Sequence, residues 1–375
     1  MKNTIYADHA ATTPLSTAAL SAMEPFLTTE FYNPSTKYSA AIKAHKAIEK
    51  ARVCIAECIG AEPSEIHFTS GGTESDNWAI KGTMLPQKRS HGIISSEVEH
   101  HAVLNSCSFM ERIGYTATYL KPDASGVIAA STLKQAISSE SALVTIMLVN
   151  NELGTIEPID ELADIAHYYD AVFHTDAVQA VGHIPVDVNA LGVDMLSASA
   201  HKFGGPKGIG FLFIRNGTHL EELLSGGGQE RGRRAGTENV AGIVGMAAAL
   251  EFSCNHMSET TNRLQRNRKA FQQALSQTSL NYCINGGCDV SPGIISLSLR
   301  GYEGEMLLHR LDLMGIQVAT GSACDSQSTH VSHVLKAINL PLEYAKGTIR
   351  VSLGQSNTVD DATKIARAIE KICSR

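Results

Sequence analysis

Short strand-like runs alternate with amphipathic segments through the first two-thirds of the chain. Strands are predicted at EIHFTS (65–70), HGIISS (91–96) and ALVTIMLVN (142–150). The last is apolar throughout, as is typical of a strand buried on both faces of a parallel sheet. The segment HAVLNSCSFMERIG carries apolar residues at helical spacing and ends in glycine, which predicts a helix. Further strands are predicted at AVFHTDA, DMLSASA and GIGFLFIR. This repeated alternation indicates an α/β sheet.

The pattern changes beyond Val240. A long helix is predicted from Val240 to about Gln277, and it is followed by the strands GIISLSLR and GTIRVSLG and by helical segments, the last of which is TKIARAIEKICSR. Strands here are fewer and alternate more, which is typical of a smaller α+β domain. We therefore predict a large domain over 15–255 and a small domain built from 1–14 and 256–375.

Composition narrows the class of protein. The chain has 375 residues, 43% of them apolar, and a net charge of −7. Interspersed charges without a basic face disfavour direct nucleic-acid binding. The N-terminal segment lacks a signal-peptide core and no run approaches about 20 apolar residues, so a cytoplasmic protein without a membrane span is expected. The eight scattered cysteines indicate no disulfide framework. Cys283 and Cys288 have no second pair nearby, so no metal site is predicted.

A glycine-rich turn, SGGT (70–73), stands between a predicted strand and a predicted helix. Glycines let the backbone approach an anion, and the first N–H groups of a helix point toward it. Gly72 and Thr73 are therefore candidate phosphate ligands. The turn lacks the Gly-Lys-Ser/Thr of a P-loop, and an ordinary strand-to-helix turn explains the same residues.

Two polar residues end the predicted strands that follow. Asp176 could keep a pyridine nitrogen protonated, or it could be the N-cap of a helix. Lys202 could form a Schiff base in a crowded apolar setting, although most lysines are simply solvated. A phosphate turn, a strand-end aspartate and a strand-end lysine, in this order, match the needs of pyridoxal 5'-phosphate (PLP) binding. One group holds the phosphate, one charges the ring and one forms the covalent bond.

Three more residues carry candidate chemistry. His100 could stack on a flat ring and transfer protons, or it could be a structural histidine. Arg350, on an alternating strand, could clamp a carboxylate with its guanidinium fork, or it could form a surface salt bridge. Cys324 lies among small and polar residues without a helix or strand period, so it is either a reactive loop thiol or an incidental one.

Together these motifs resemble the cysteine desulfurases of the class V aminotransferase family, the NifS/IscS-like enzymes. The resemblance runs over essentially the whole chain and is carried by YADHAATTP, EIHFTSGGTES, EVEHHAVL, MLVNNELGTIEPI, FHTDAVQAVG, SASAHKFGGPKGIGFLFI, GGGQERGRRAGTENV, GSACDSQSTHVSHVL and GTIRVSLG. It implies PLP fold type I, with a large domain of a mostly parallel seven-stranded sheet flanked by helices and a smaller α+β domain. The departures NPSTKYSAA, ATGSAC and SLGQ do not touch the proposed chemistry.

The resemblance also implies a role for each candidate residue. Lys202 would form the Schiff base, Asp176 would pair with the pyridinium, and Cys324 would be the persulfide nucleophile. The other implied roles are Gln179 for the ring hydroxyl, His100 for ring stacking and proton transfer, Gly72, Thr73, Ser199 and His201 for the phosphate, Thr237 for the phosphate of the other subunit in a homodimer, and Arg350, Asn151 and Asn33 for the substrate carboxylate.

The implied reaction converts L-cysteine to L-alanine and moves the sulfur to Cys324 as a persulfide. An acceptor protein would then take the sulfur for iron–sulfur clusters, tRNA thiolation or DNA phosphorothioation. Two alternatives stay open on the residues alone. One is a selenocysteine lyase or related PLP β-lyase, and the other is a sulfur-relay scaffold whose catalysis is secondary.

Overall fold

The computed structural model describes residues 4–88, 91–321 and 331–374. The helices are α1 Thr17–Thr28, α2 Ser39–Ile59, α3 Gly72–Met84, α4 His101–Arg112, α5 Ala130–Ala136, α6 Ile159–Tyr168, α7 Val188–Leu191, α8 Val240–Asn255, α9 Met257–Ser276, α10 Gly304–Leu313, α11 His333–Ala337, α12 Leu342–Ala345 and α13 Val359–Cys373. The strands are β1 Ile5–Tyr6, β2 Ile66–Thr69, β3 Gly92–Ser96, β4 Thr116–Leu120, β5 Ser141–Thr145, β6 Val172–Asp176, β7 Met195–Ser199, β8 Gly210–Ile214, β9 Tyr282–Asn285, β10 Ile294–Leu299, β11 Ile316–Gln317, β12 Ala319–Thr320 and β13 Thr348–Ser352.

The main sheet has seven strands in the order β2-β8-β7-β6-β5-β3-β4. Only β8 runs antiparallel to its neighbours, β2 and β7, while the other pairs are parallel. Strands β7 and β8 are buried along their whole length, as expected where helices cover both faces of a sheet. The predicted mostly parallel seven-stranded sheet is confirmed.

The sheet gathers the candidate chemistry at one edge. Strand β2 points the same way as β7, because both run antiparallel to β8. The residues that follow β2, β3, β6 and β7 therefore lie at the carboxyl ends of strands that share one direction, where α/β proteins bind ligands. Gly71 follows β2, His100 follows β3, Asp176 ends β6 and Lys202 follows β7.

A second core surrounds the four-stranded antiparallel sheet β12-β13-β10-β9. Helices α9 and α13 pack against each other over this core, whereas α8 packs on α1 and α2 beside the main sheet. The N-terminal strand β1 pairs in parallel with β11, on the side of the second core. The exact domain boundaries at 15 and 255 remain a prediction.

Two predicted elements differ from the structure. The long helix from Val240 is two helices, because His256 has non-helical angles (φ −108°, ψ 9°) and separates α8 from α9. The strand predicted over 142–150 is regular only to Thr145, although the N–H groups of Ile146 and Leu148 still bond carbonyls of β6. Apolar character alone does not mark where pairing ceases to be regular. Across the described ranges, no helix combines the length and apolar character needed to cross a membrane.

Candidate active site

The glycine turn has the shape of an anion cradle. Gly71 is the N-cap of α3 with φ +147°, a conformation that favours glycine. A Cβ on Gly72 would lie 2.5 Å from Cγ2 of Val178, so a side chain there requires Val178 to move. The hydroxyl of Ser199 lies 3.5 Å from the point that a Cβ on Gly71 would occupy, and Thr73 is exposed in the first turn of α3. The predicted phosphate residues Gly72 and Thr73 thus stand in the first turn of α3, and the Ser199 hydroxyl at the end of β7 lies beside this turn.

Asp176 is buried at the end of β6, with Oδ1 accepting a hydrogen bond from the backbone N–H of Val178 at 2.9 Å. It caps no helix, because turns follow it and α7 begins only at Val188. Burial raises the pKa of Asp176, while the charges of His100 and Lys202 act to lower it. A carboxyl in this setting is stabilised as an anion by a cation placed against it.

His100 is the N-cap of α4, and its Nδ1 accepts a hydrogen bond from the backbone N–H of Ala102 at 3.1 Å. The neutral ring therefore carries its proton on Nε2. Burial lowers the pKa of His100, which favours the neutral ring, although the charge of Asp176 opposes this shift. The imidazole can thus donate from Nε2 toward the space beside Asp176.

A third group, Asp76, was missed by the sequence reasoning. One polar atom each from Asp76, His100 and Asp176 lie within 4.8 Å of one another, a spacing compact enough for a metal ion among the described side chains. Helix α3 carries Asp76 over the sheet, four residues after the glycine turn's Gly72. From the sequence ESDNWAIKG, Asp76 can be recognised only as a helical residue, because its burial depends on how α3 packs. The prediction of no metal remains a prediction.

Lys202 ends a short helical turn after β7. Its ammonium group donates to the carbonyl of Ala10 at 2.6 Å and to that of Ala11 at 3.0 Å. Gln179, the residue predicted to meet the ring hydroxyl, donates from Nε2 to the same Ala10 carbonyl at 2.8 Å. The N-terminal segment 8–13 therefore lies directly against the proposed cofactor residues, which the sequence reasoning did not anticipate.

The same segment holds His201. Its Nδ1 lies 3.1 Å from Oγ1 of Thr12, and the hydroxyl of Thr13 donates to the His201 carbonyl at 2.9 Å. Burial lowers the pKa of His201 to about 4, and the positive charge of Lys202 adds to the shift. His201 is therefore neutral near pH 7, and its predicted contact with a phosphate remains a prediction.

Arg350 is buried on β13 with only 5% of its surface exposed, so the alternative of a surface salt bridge is wrong. One terminal nitrogen donates to Oδ1 of Asp8 and the other to the carbonyl of Asn151, both at 2.9 Å. Its Nε is buried and has no hydrogen-bond partner among the described residues. The edge formed by Nε and the adjacent terminal nitrogen is the part of the fork suited to a further carboxylate. Asp8 was missed by the sequence reasoning, although YADHAATTP contains it.

Four predicted residues are less closely tied to this site. Asn151 meets Arg350 through its backbone carbonyl. Asn33 is exposed, and its Oδ1 accepts from the N–H of Ser35 at 2.9 Å. Thr237 is exposed and lines a small cavity of about 70 Å³ with Ser70. Cys324 lies outside the described residues. The roles assigned to these four residues remain predictions.

Comparison with known proteins gives the family. The model of the family described as aminotransferase class-V matches residues 5–365. The chain belongs to this family. The cysteine desulfurase IscS of Dictyoglomus turgidum is 49% identical over 378 residues, which covers 100% of this chain and 96% of the relative. The IscS of Methanosarcina thermophila is 43% identical over 99% of this chain and 92% of its own length.

Solved structures agree with the fold. A NifS-like protein matches with a TM-score of 0.93 and 36% identity over 99% of both chains. The structure named SspA in complex with cysteine matches with a TM-score of 0.84 and 38% identity, over 94% of this chain and 99% of that one. The resemblance inferred from the motifs and the fold it implied are both confirmed.

Proposed function

We propose that this protein is a PLP-dependent cysteine desulfurase that converts L-cysteine to L-alanine and collects the sulfur on Cys324 as a persulfide. The observation that carries the proposal is the convergence of Lys202, Asp176 and His100 beside the glycine turn, at one edge of the main sheet. Full-length relatives named cysteine desulfurases support the assignment.

The residues at this edge fit PLP group by group. The α3 N-terminus offers N–H groups beside two glycines, and Ser199 adds a hydroxyl, which suits a phosphate. Asp176 is a buried carboxyl that a protonated pyridine nitrogen would complement. Lys202 supplies the amine for the covalent bond. Bound PLP would withdraw electrons from the Cα carbon of the substrate.

The chain's own groups then divide the work. The Nε–terminal nitrogen edge of Arg350 holds the substrate carboxylate and so orients the Cα–H bond. Lys202, once its amine is free, would take up the Cα proton at Nζ. His100, which carries its proton on Nε2 when its ring is neutral, would exchange a proton with the substrate. The buried setting of Asp176 and His100 keeps water away from these steps.

Sulfur transfer is assigned to Cys324. Its thiolate attacks the substrate sulfur, so that an S–S bond forms and the substrate C–S bond breaks. The bonding pair of the C–S bond passes to the carbon skeleton, which takes up protons and leaves as alanine. Cys324 keeps the sulfur as a persulfide. The step needs the thiolate form of Cys324, because the neutral thiol is a poor nucleophile.

Three variants test this proposal. Purified protein should show the visible absorbance of covalently bound PLP, and Lys202→Ala should lose it. Cys324→Ser should keep the absorbance and bind L-cysteine yet release no sulfide, while the exposed Cys288 gives the matched control Cys288→Ser with normal release. Normal sulfide release by Cys324→Ser would overturn the persulfide assignment. If the protein released selenide from selenocysteine but no sulfide from L-cysteine, a selenocysteine lyase would be favoured. If it formed no alanine from L-cysteine, a relay scaffold would be favoured.

We further infer that the protein works as a homodimer in which Thr237 reaches the cofactor phosphate of the other subunit. The exposure of Thr237, at the start of α8, supports this role. Thr237→Val should then weaken PLP binding without altering the covalent bond to Lys202. A monomer in sedimentation at working concentration would contradict the proposed homodimer.

An acceptor protein would take the persulfide sulfur, and capture of partner proteins on persulfidated Cys324 would identify that acceptor.

A further inference from the structure

Asp76 is a buried carboxyl beside the site that the proposed reaction does not use. It lies on α3, and its side chain is only 2% exposed. One of its oxygens is within 4.8 Å of polar atoms of both Asp176 and His100. Within the part of the chain that the structure describes, Oδ1 of Asp76 has no hydrogen-bond partner, and it lies 3.8 Å from Nε2 of His174. A polar atom so deeply buried without a partner calls for a physical explanation.

Two carboxyls this close, both wholly buried, do not ionise together at neutral pH. Burial and the neighbouring Asp176 raise the pKa of Asp76 well above its ordinary value. Burial favours the neutral ring of the neighbouring His100, and two further described groups nearby, His174 and Glu99, add no positive charge. Burial lowers the pKa of His174 to about 3, so that ring is neutral, and burial raises the pKa of Glu99 to about 8, so that acid is mostly neutral as well.

The two carboxyls differ in what surrounds them. The charge of Lys202, and that of His100 whenever its ring is protonated, favours the anion of Asp176, which also accepts the backbone N–H of Val178. Among the described residues, Asp76 has the hydroxyl of Ser197 as its hydrogen-bonding neighbour, and that hydroxyl also bonds His174 at 2.9 Å. The pair therefore places its single negative charge on Asp176 and its single proton on Asp76.

We propose that Asp76 is a positioning residue that carries the shared proton, so that Asp176 is the one charged carboxylate presented to the cofactor ring. This inference rests on the proposed function, because it assigns Asp176 to the pyridine nitrogen of PLP. A neutral acid fills the space behind Asp176 and meets Ser197 without adding a second negative charge. An apolar side chain would take away the Asp76 partner of that hydroxyl and leave it with His174.

The first test compares two substitutions in the PLP-loaded protein. Asp76→Asn is neutral and of the same shape, so PLP affinity and the pH midpoint of the visible absorbance change should match those of the wild type. Asp76→Val should lower PLP affinity by about tenfold, because the buried Ser197 hydroxyl loses its partner on Asp76. A shifted midpoint in Asp76→Asn would show that a negative charge had been removed, and it would overturn the proposal. Wild-type affinity in Asp76→Val would overturn it too.

The second test detects the proton on the Asp76 carboxyl directly. Infrared difference spectra at pH 7 between wild type and Asp76→Asn should contain the C=O stretch of a protonated carboxylic acid, lost in the variant. Asp160→Asn, which changes an exposed carboxylate on α6, is the matched control and should lose only carboxylate bands. A carboxylate loss in Asp76→Asn would refute the proposal. If the wild type bound no PLP, the proposed function would fail, whereas this infrared result would still report on Asp76 alone.

Discussion

A buried ion pair fastens the loop before α8 to the strand that leads into the glycine turn. Arg52, on α2, bonds both carboxylate oxygens of Glu230 at 2.8 and 2.9 Å, and both side chains are at most 4% exposed. Arg52 also donates to the carbonyl of Ile66, and Glu230 accepts from the N–H of Phe68 at 2.9 Å. The pair therefore connects three parts of the chain beside β2.

Glu230→Gln should reduce the free energy of unfolding by about 3 kcal/mol. Breaking a buried pair costs about 3–5 kcal/mol, because one charge is left without its partner. Glutamine keeps an acceptor for the N–H of Phe68, which places the expected loss at the lower end. The double variant Arg52→Met/Glu230→Gln should be more stable than Glu230→Gln, because the buried Arg52 cation would otherwise keep only the half-exposed carboxylate of Glu49, at 3.1 Å, as an ionic partner among the described residues.

The measurement is urea unfolding followed by circular dichroism, with all variants at one protein concentration. Glu343→Gln is the matched control, since its pair with Arg300 at 3.1 Å is about half exposed on both sides and should contribute less than about 1 kcal/mol. The reasoning is refuted if Glu230→Gln loses no more stability than Glu343→Gln. It is equally refuted if removing Arg52 destabilises the Glu230→Gln protein further.

Two further predictions concern the site and the pH dependence of stability. Asp8→Asn removes the charge that fixes Arg350, so KM for L-cysteine should rise by about tenfold with the cofactor absorbance unchanged, and steady-state kinetics with an unaltered KM would contradict this role. Burial raises the pKa of Glu157 from 4.5 to about 8. Between these values the folded state holds a proton that the unfolded state releases, so stability falls as pH rises from about 4.5 to 8. Glu157→Gln should reduce the fall of the unfolding free energy with pH, measured by urea titrations across that range. An unchanged pH dependence would contradict a protonated Glu157 in the folded state.

Much of the fold was predictable because its signals are local. Strands β2, β3, β6, β7 and β8 follow from short apolar runs, and their order already placed the glycine turn, Asp176 and Lys202 at strand ends. Strand β4 was not predicted, since TATYL is half exposed and stands at the sheet edge. The break at His256 was missed because no glycine or proline marks it in the sequence.

The parts of the site that were missed depend on distant contacts. Asp8 and Arg350 are 342 positions apart, and no sequence feature near either residue predicts its contact with the other. Asp76 looks like an ordinary polar helix residue until α3 packs on the sheet and turns it toward Asp176. A sequence can name the residue types of such a site, but pairing across the chain is decided only by tertiary packing.

The N-terminal segment 8–13 has a consequence for biosynthesis. It is translated before the other residues of the site, yet β1 pairs with β11 and the N–H of Ala10 bonds the hydroxyl of Ser352. The Ala10 carbonyl that meets Lys202 therefore has no fixed position until β11 and Ser352 have been made. The main sheet can assemble during synthesis, but cofactor capture must wait for the last strands.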